Sequence, residues 1–146
     1  MTKLTLIDRA FFLKRSKLFE ALDLELLLAI AEKLTAVTYD PHEIIFGLNE
    51  EAFRIYFIVK GAVEIRHSSN ASSVTLTPED FFGDESLFND TPRTYEAFSK
   101  THTTLLTLSK INLLNMISEC PSIALGLLQV YTSTVPFRPR IHTPLL

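Results

Sequence analysis

The hydrophobic period of this chain changes twice, and that limits the folds open to it. Towards both ends apolar residues recur at helical spacing. Between Thr35 and Leu108 they recur at every second position, in short runs broken by Pro41, Gly47 and Gly61. The first helical stretch carries Leu4, Ile7 and Phe11 on one row. After a break near Ser16, Asp23 is a good N-cap for a second helix with the row Leu24, Leu27, Leu28 and Ala31. The centre holds RIYFIVKGAVEIRH, in which Ile55 to Val59 form a nearly continuous apolar strand and Lys60-Gly61 a turn. In the alternating strand that follows, Val63 and Ile65 face one side, Glu64 and Arg66 the other. A polar hairpin loop, Ser68 to Ser73, and the strand Val74-Thr75-Leu76 come next. Two further short strands between Tyr95 and Leu108 lead to Ser109, which caps a helix with Ile111, Leu114 and Ile117. Pro121 suits the first turn of a last helix bearing Ile123, Leu127, Val130 and Tyr131, and Pro136 and Pro139 prevent that helix from continuing. Close-spaced short strands flanked by helices favour an antiparallel sandwich or roll.

The chain has 146 residues, the length of one domain with a hydrophobic core of its own. The expected layout is one domain over 1–146, with helices at about 4–33, a roll at about 35–108, helices at about 110–134 and a tail at 135–146. A net charge of −3 supplies no basic field for nucleic acid or anionic lipid. The single cysteine, Cys120, has no motif partner and reads as a structural thiol in a reduced compartment. The N-terminus lacks the pattern of a secretory signal, and the most apolar stretch, LELLLAIAEKL, is interrupted by Glu25, Glu32 and Lys33. A soluble, cytoplasmic protein without membrane contact is expected.

Chemistry concentrates in FFGDESLFNDTPRTYEAF, where Arg93 stands among Asp84, Glu85, Asp90 and Glu96. Gly83 accommodates a positive φ angle and a close backbone approach. The residues after it can form a short helical turn with free N–H groups. Arg93, ten positions on, carries a planar fork suited to phosphate, and Asp84 can accept from a sugar hydroxyl. A carboxylate for ribose and an arginine for phosphate together describe a nucleotide site. The plainer alternative makes Arg93 a surface residue paired with Asp90 or Glu96, and Asp84 a cap for the short helix. The four histidines are scattered without the His-x-His spacing of a metal-binding jelly roll, so no metal is expected. With no triphosphate loop, nucleophile elbow or paired acid and base, enzyme activity has no support.

The segment Phe82-Gly83-Asp84-Glu85-Ser86-Leu87, followed by Arg93-Thr94-Tyr95, resembles the phosphate-binding cassette of cyclic nucleotide-binding domains, F-G-E-x-[AS]-L-(spacer)-R-[ST]-A. Upstream, HEIIFGLNEEAFRIYFIVKGAVEI is similar to the family's G-x-x-I-F-x-x-G-(spacer)-Y-F-I-x-x-G-x-V-x-V. Leu76 to Asp80 resembles its L-x-x-G-D, and KLFEALDLELLLAIA its N-terminal helices. The resemblance runs from about Leu4 to Thr134. It implies an eight-stranded antiparallel β-roll, a double-stranded β-helix or jelly roll, with an N-terminal helical pair and two C-terminal helices. It also implies cyclic AMP or cyclic GMP as bound ligand, with no other cofactor. Gly83, Asp84, Ser86, Arg93 and Thr94 would hold phosphate and ribose, and Tyr95 would be a base contact. Ligand would then move the terminal helices and signal to a protein partner.

Two positions depart from the pattern. Asp84 is one methylene shorter than the family's glutamate, and Tyr95 replaces a small residue, where its ring either stacks on a base or fills the pocket. Glu85 is expected to be solvated. The tail VPFRPR argues for a short lid and against a following DNA-binding module, so no direct DNA binding is expected. Leu127, Val130 and Tyr131 have two places to pack: the roll, or a second copy in a homodimer. Two functions of different class remain, a cyclic nucleotide sensor and a ligand-free interaction scaffold.

Overall fold

A computed structural model of the chain describes residues 3–67 and 72–133. The tip of the hairpin loop at 68–71 and the tail from 134 on lie outside the described residues. Among the described residues, eight strands and five α-helices follow the expected order. Helix α1 (Leu6–Arg15) starts with a capping box in which Thr5 Oγ1 accepts from the Asp8 N–H and Asp8 accepts from the Thr5 N–H. A 3-10 turn (Lys17–Phe19) leads to α2 (Leu24–Ala31), where Asp23 accepts from the Leu26 N–H as the sequence predicts.

The strands β1 (Thr35–Tyr39), β2 (Ile44–Phe46), β3 (Arg54–Lys60), β4 (Val63–His67), β5 (Ser73–Leu76), β6 (Phe81–Phe82), β7 (Tyr95–Ser99) and β8 (Thr103–Ser109) divide into two four-stranded antiparallel sheets. Their orders are β1-β8-β3-β6 and β2-β7-β4-β5. Phe46, Val63, Ile65 and Ala97 from one sheet pack with Tyr56, Ile58, Phe82 and Leu105 from the other, so the sheets face each other as a β-roll. Helix α3 (Asp84–Asn89) stands between β6 and β7. Ser109 caps α4 (Lys110–Glu119) by accepting from the Asn112 N–H, and α5 (Ser122–Ser133) follows Pro121.

Strand β3 explains its own composition. Ile55 and Phe57 point to the helices while Tyr56 and Ile58 point into the roll, so both faces are buried and the run is continuously apolar. The helix-side core joins Leu13, Phe19, Leu27, Ile30, Leu106 and Leu108, each 0% exposed, across α1, α2, β8 and the turn between the helices. Each such side chain contributes roughly 1.5–3 kcal/mol by leaving water.

Two helical rows are turned from what their spacing predicts, and of their residues only Leu4 and Ile117 pack against the helix-side core. In α1 the buried residues are Ala10, Phe12 and Leu13, while Ile7 and Phe11 are exposed. In α4 they are Leu113 and Met116, while Ile111 and Leu114 are exposed. Each helix carries more apolar residues than one stripe needs, so periodicity alone offers two faces. In α5 Ile123, Leu127 and Val130 are buried as expected, while Tyr131, the fourth residue of that row, is 39% exposed. Among the described residues, no single helix is long and apolar enough to cross a membrane.

Candidate functional site

Gly83 ends β6 and starts α3 with φ 87, a left-handed conformation open to glycine. Space also demands it: a Cβ there would lie 3.0 Å from Arg93 Nη1 and 3.3 Å from the Arg54 carbonyl oxygen. That close approach is what lets the following arginine fold back beneath the segment.

Arg93 is 2% exposed, so the surface pairing with Asp90 or Glu96 does not form. Asp90 instead accepts from Lys110 Nζ at 3.1 Å, and Glu96 lies 3.6 Å from Arg66. The Arg93 guanidinium donates through Nη1 to the Gly83 carbonyl at 2.6 Å and through Nη2 to the Arg54 carbonyl at 2.8 Å. It lies 4.1 Å above the Phe46 ring and 5.9 Å from that of Tyr56. Its main chain is fixed as well, donating to Glu50 O and accepting from the Asn49 N–H, each at 2.8 Å. The buried Nε has no hydrogen-bond partner among the described residues. Burial lowers the guanidinium's pKa, and among the described residues no carboxylate forms an ion pair with it.

The cassette carboxylates take partners that spacing did not suggest. Asp84 is 8% exposed and its Oδ2 accepts from the Tyr131 hydroxyl of α5 at 2.6 Å. Burial pushes the Asp84 carboxyl up to about 6. Gly83, not Asp84, is the N-cap of α3. Glu85 is solvent-exposed as expected, yet its Oε1 accepts from the Tyr95 hydroxyl at 2.8 Å. Tyr95 is 3% exposed, and its ring packs 5.5 Å from Phe46 inside the roll. The same hydroxyl accepts from the Gly83 N–H at 2.9 Å. Burial raises the pKa of both phenols, so each stays a neutral donor.

Ser86 is buried and donates to the Pro92 carbonyl at 3.1 Å, tying the two ends of the loop together. Thr94 is exposed between the two inward-facing residues Arg93 and Tyr95. The structure thus gathers Gly83, Asp84, Arg93 and Tyr95 at one place and leaves Thr94 on its rim. Glu85 and Tyr131 complete the constellation and were missed by sequence reasoning. Tyr131 lies 47 positions from Asp84, beyond the reach of any local pattern. A cavity of about 290 Å³ adjoins Arg93, with Phe46, Glu50, Arg54 and Tyr56 among its lining residues. A larger one of about 650 Å³ lies behind the cassette, against Ser86, Pro92, Phe53 and Lys110. No group of three or more metal-ligating side chains occurs among the described residues.

A β-roll with helices at both ends and a cassette between β6 and β7 defines a class of ligand-binding regulatory domain. The cyclic nucleotide-binding domain model matches residues 36–120, and the chain belongs to that family. It is 29% identical over 122 residues to a CRP-like cAMP-activated global transcriptional regulator of Mycobacterium tuberculosis, covering 81% of this chain and 54% of that protein. It is 30% identical over 107 residues to a cyclic nucleotide-gated potassium channel of Mesorhizobium japonicum, covering 73% of this chain and 29% of the channel. The chain therefore spans about half the length, or less, of the curated relatives it matches. Among solved structures, the N-terminal domain of a transcriptional regulator from Streptomyces coelicolor A3(2) superposes with a TM-score of 0.75 at 26% identity, over 86% of this chain and 92% of that one.

Proposed function

We propose that this chain is a regulatory domain that binds cyclic AMP or cyclic GMP in the Gly83–Tyr95 cassette and passes the event through α4 and α5 to a protein partner. Arg93 carries the proposal: among the described residues it is a buried cation that forms no ion pair with a carboxylate, and its Nε–H is unspent. A buried charge is costly unless an opposite charge and hydrogen bonds satisfy it. Two backbone carbonyls satisfy part of the fork, and an anionic phosphate supplies the missing charge. In this reading Asp84 and the Gly83 amide take the ribose, Ser86 shapes the loop, Thr94 offers its hydroxyl to phosphate, and Tyr95 borders the base.

Thermal unfolding of the purified chain with millimolar cyclic AMP, cyclic GMP or 5′-AMP tests this. A ligand at about 100 times its Kd adds roughly 2.7 kcal/mol, which raises Tm by several degrees in a domain of this size. A rise with a cyclic nucleotide and none with 5′-AMP is expected; no rise with either cyclic nucleotide contradicts the proposal. The second function, a ligand-free interaction scaffold, is favoured by one observation. The Tyr95 and Tyr131 hydroxyls already hold the Gly83 amide and both cassette carboxylates.

A further inference from the structure

A ribose hydroxyl entering this cassette would accept from a backbone amide and donate to a carboxylate. The Tyr95 hydroxyl does both, accepting from the Gly83 N–H at 2.9 Å and donating to Glu85 at 2.8 Å. The second carboxylate, Asp84, is held at 2.6 Å by Tyr131, whose ring meets Phe88 of α3 edge-on at 6.0 Å. Both phenols reach the same turn from different elements: Tyr95 from β7 across the roll, Tyr131 from the last turns of α5. Nothing else in the described chain joins α5 to α3 by a side-chain hydrogen bond.

We propose that Tyr95 and Tyr131 are resident occupants of the cassette, two built-in hydroxyls that stand where a ligand's hydroxyls bind and so determine which ligand enters and whether α5 is docked. The proposal rests on the cyclic nucleotide site described above, and adds to it the price of entry. A nucleotide must displace Tyr131 to reach Asp84 and Tyr95 to reach the Gly83 amide. Displacing Tyr131 also frees the end of α5, so admission and helix release are one event. Each hydroxyl removed should be felt about tenfold or more, as for one hydrogen bond to a charged acceptor.

Tyr131→Phe and Tyr95→Phe remove the hydroxyls and keep the rings, and Tyr131 is 39% exposed, so neither change empties the core. Two readouts on the full chain separate this proposal from the functional one. The first needs no nucleotide: amide hydrogen exchange should rise about tenfold in the last turn of α5 in Tyr131→Phe, and at Gly83 in Tyr95→Phe. The second is calorimetric titration with cyclic AMP, which each variant should bind about tenfold more tightly than the native chain. If native chain and variants all fail to bind while exchange accelerates as stated, the functional reading falls and the resident hydroxyls stand. If cyclic AMP binds native chain and variants within about twofold of one another, the resident hydroxyls fall and the functional reading stands. Exchange unchanged in both variants, with no binding, overturns both.

Discussion

Beneath the helices, Phe19, Leu27, Ile30, Phe57, Leu106 and Leu108 form an apolar cluster held by shape and area. Inside the roll, Phe46, Tyr56, Phe82 and Tyr95 share their interior with a guanidinium, and three of the four rings lie within 6 Å of Phe46. Both clusters meet on β3, whose alternate residues serve one and then the other. A domain that only needed stability could fill both sides with carbon. The polar interior of the roll instead carries a buried cation and a buried phenol, Arg93 and Tyr95, both hydrogen-bonded to Gly83, with the buried Asp84 carboxyl next to it in the chain. The difference separates the half of the molecule held by apolar packing from the half that carries the buried polar groups of the cassette.

The sharpest contrast is expected from truncation on the helix side. Phe57→Ala should cost about 3–5 kcal/mol in denaturant unfolding, because the cavity it leaves is walled by packed side chains. A loss below about 1 kcal/mol would show that the helix side is not the structural half. Next comes Arg93→Met, which strands the Gly83 and Arg54 carbonyls and should cost about 2–3 kcal/mol despite the gain from removing a desolvated charge. If that variant is more stable than the native chain, as some buried ion groups are when replaced by carbon, the roll interior is simply a poor core. Tyr95→Phe leaves the Gly83 amide unpaired and should cost about 1–2 kcal/mol, measured the same way.

The smallest effect is a pH dependence. The Asp84 carboxyl sits at about 6 in the fold, because burial disfavours its charge, against about 3.9 in an unfolded chain. A carboxyl whose pKa rises on folding contributes stability that is complete below the unfolded value and is lost as pH rises through the folded one. The native chain should therefore gain on Asp84→Asn by about 1 kcal/mol as pH falls from 7 to 5. Stability curves that run parallel over that range would remove Asp84 from the set of buried charges.

Much of the fold was legible because its signals are local. Asp23 and Ser109 announce helix starts, Gly61 and Gly83 mark turns with φ 97 and 87, and the unbroken run Ile55 to Val59 marks a strand buried on two faces. The buried faces of α1 and α4 were not legible. Ala10, unremarkable in the sequence, is 0% exposed, while the larger Ile7 and Phe11 stay outside. The site divides similarly. The positions of Gly83, Asp84 and Arg93 along the chain disclosed a cassette, since that motif is contiguous. The partners of those residues were hidden because they depend on where distant elements pack: the Arg54 carbonyl is 39 positions from Arg93, and Tyr131 is 47 from Asp84. Glu85 was read as solvated because it is, but exposure of a residue does not keep its carboxylate from reaching an inward-facing phenol.

The unspent Nε–H of Arg93 is the most direct place to test whether the roll interior is a ligand site. Its ¹⁵N–¹H resonance, shielded from solvent by burial, can be followed while cyclic AMP is added to the purified chain. A saturable shift with cyclic AMP and none with 5′-AMP is the predicted result. A resonance that stays in place through millimolar cyclic AMP and cyclic GMP would contradict it and leave Arg93 as a tie between β3 and the Gly83 turn.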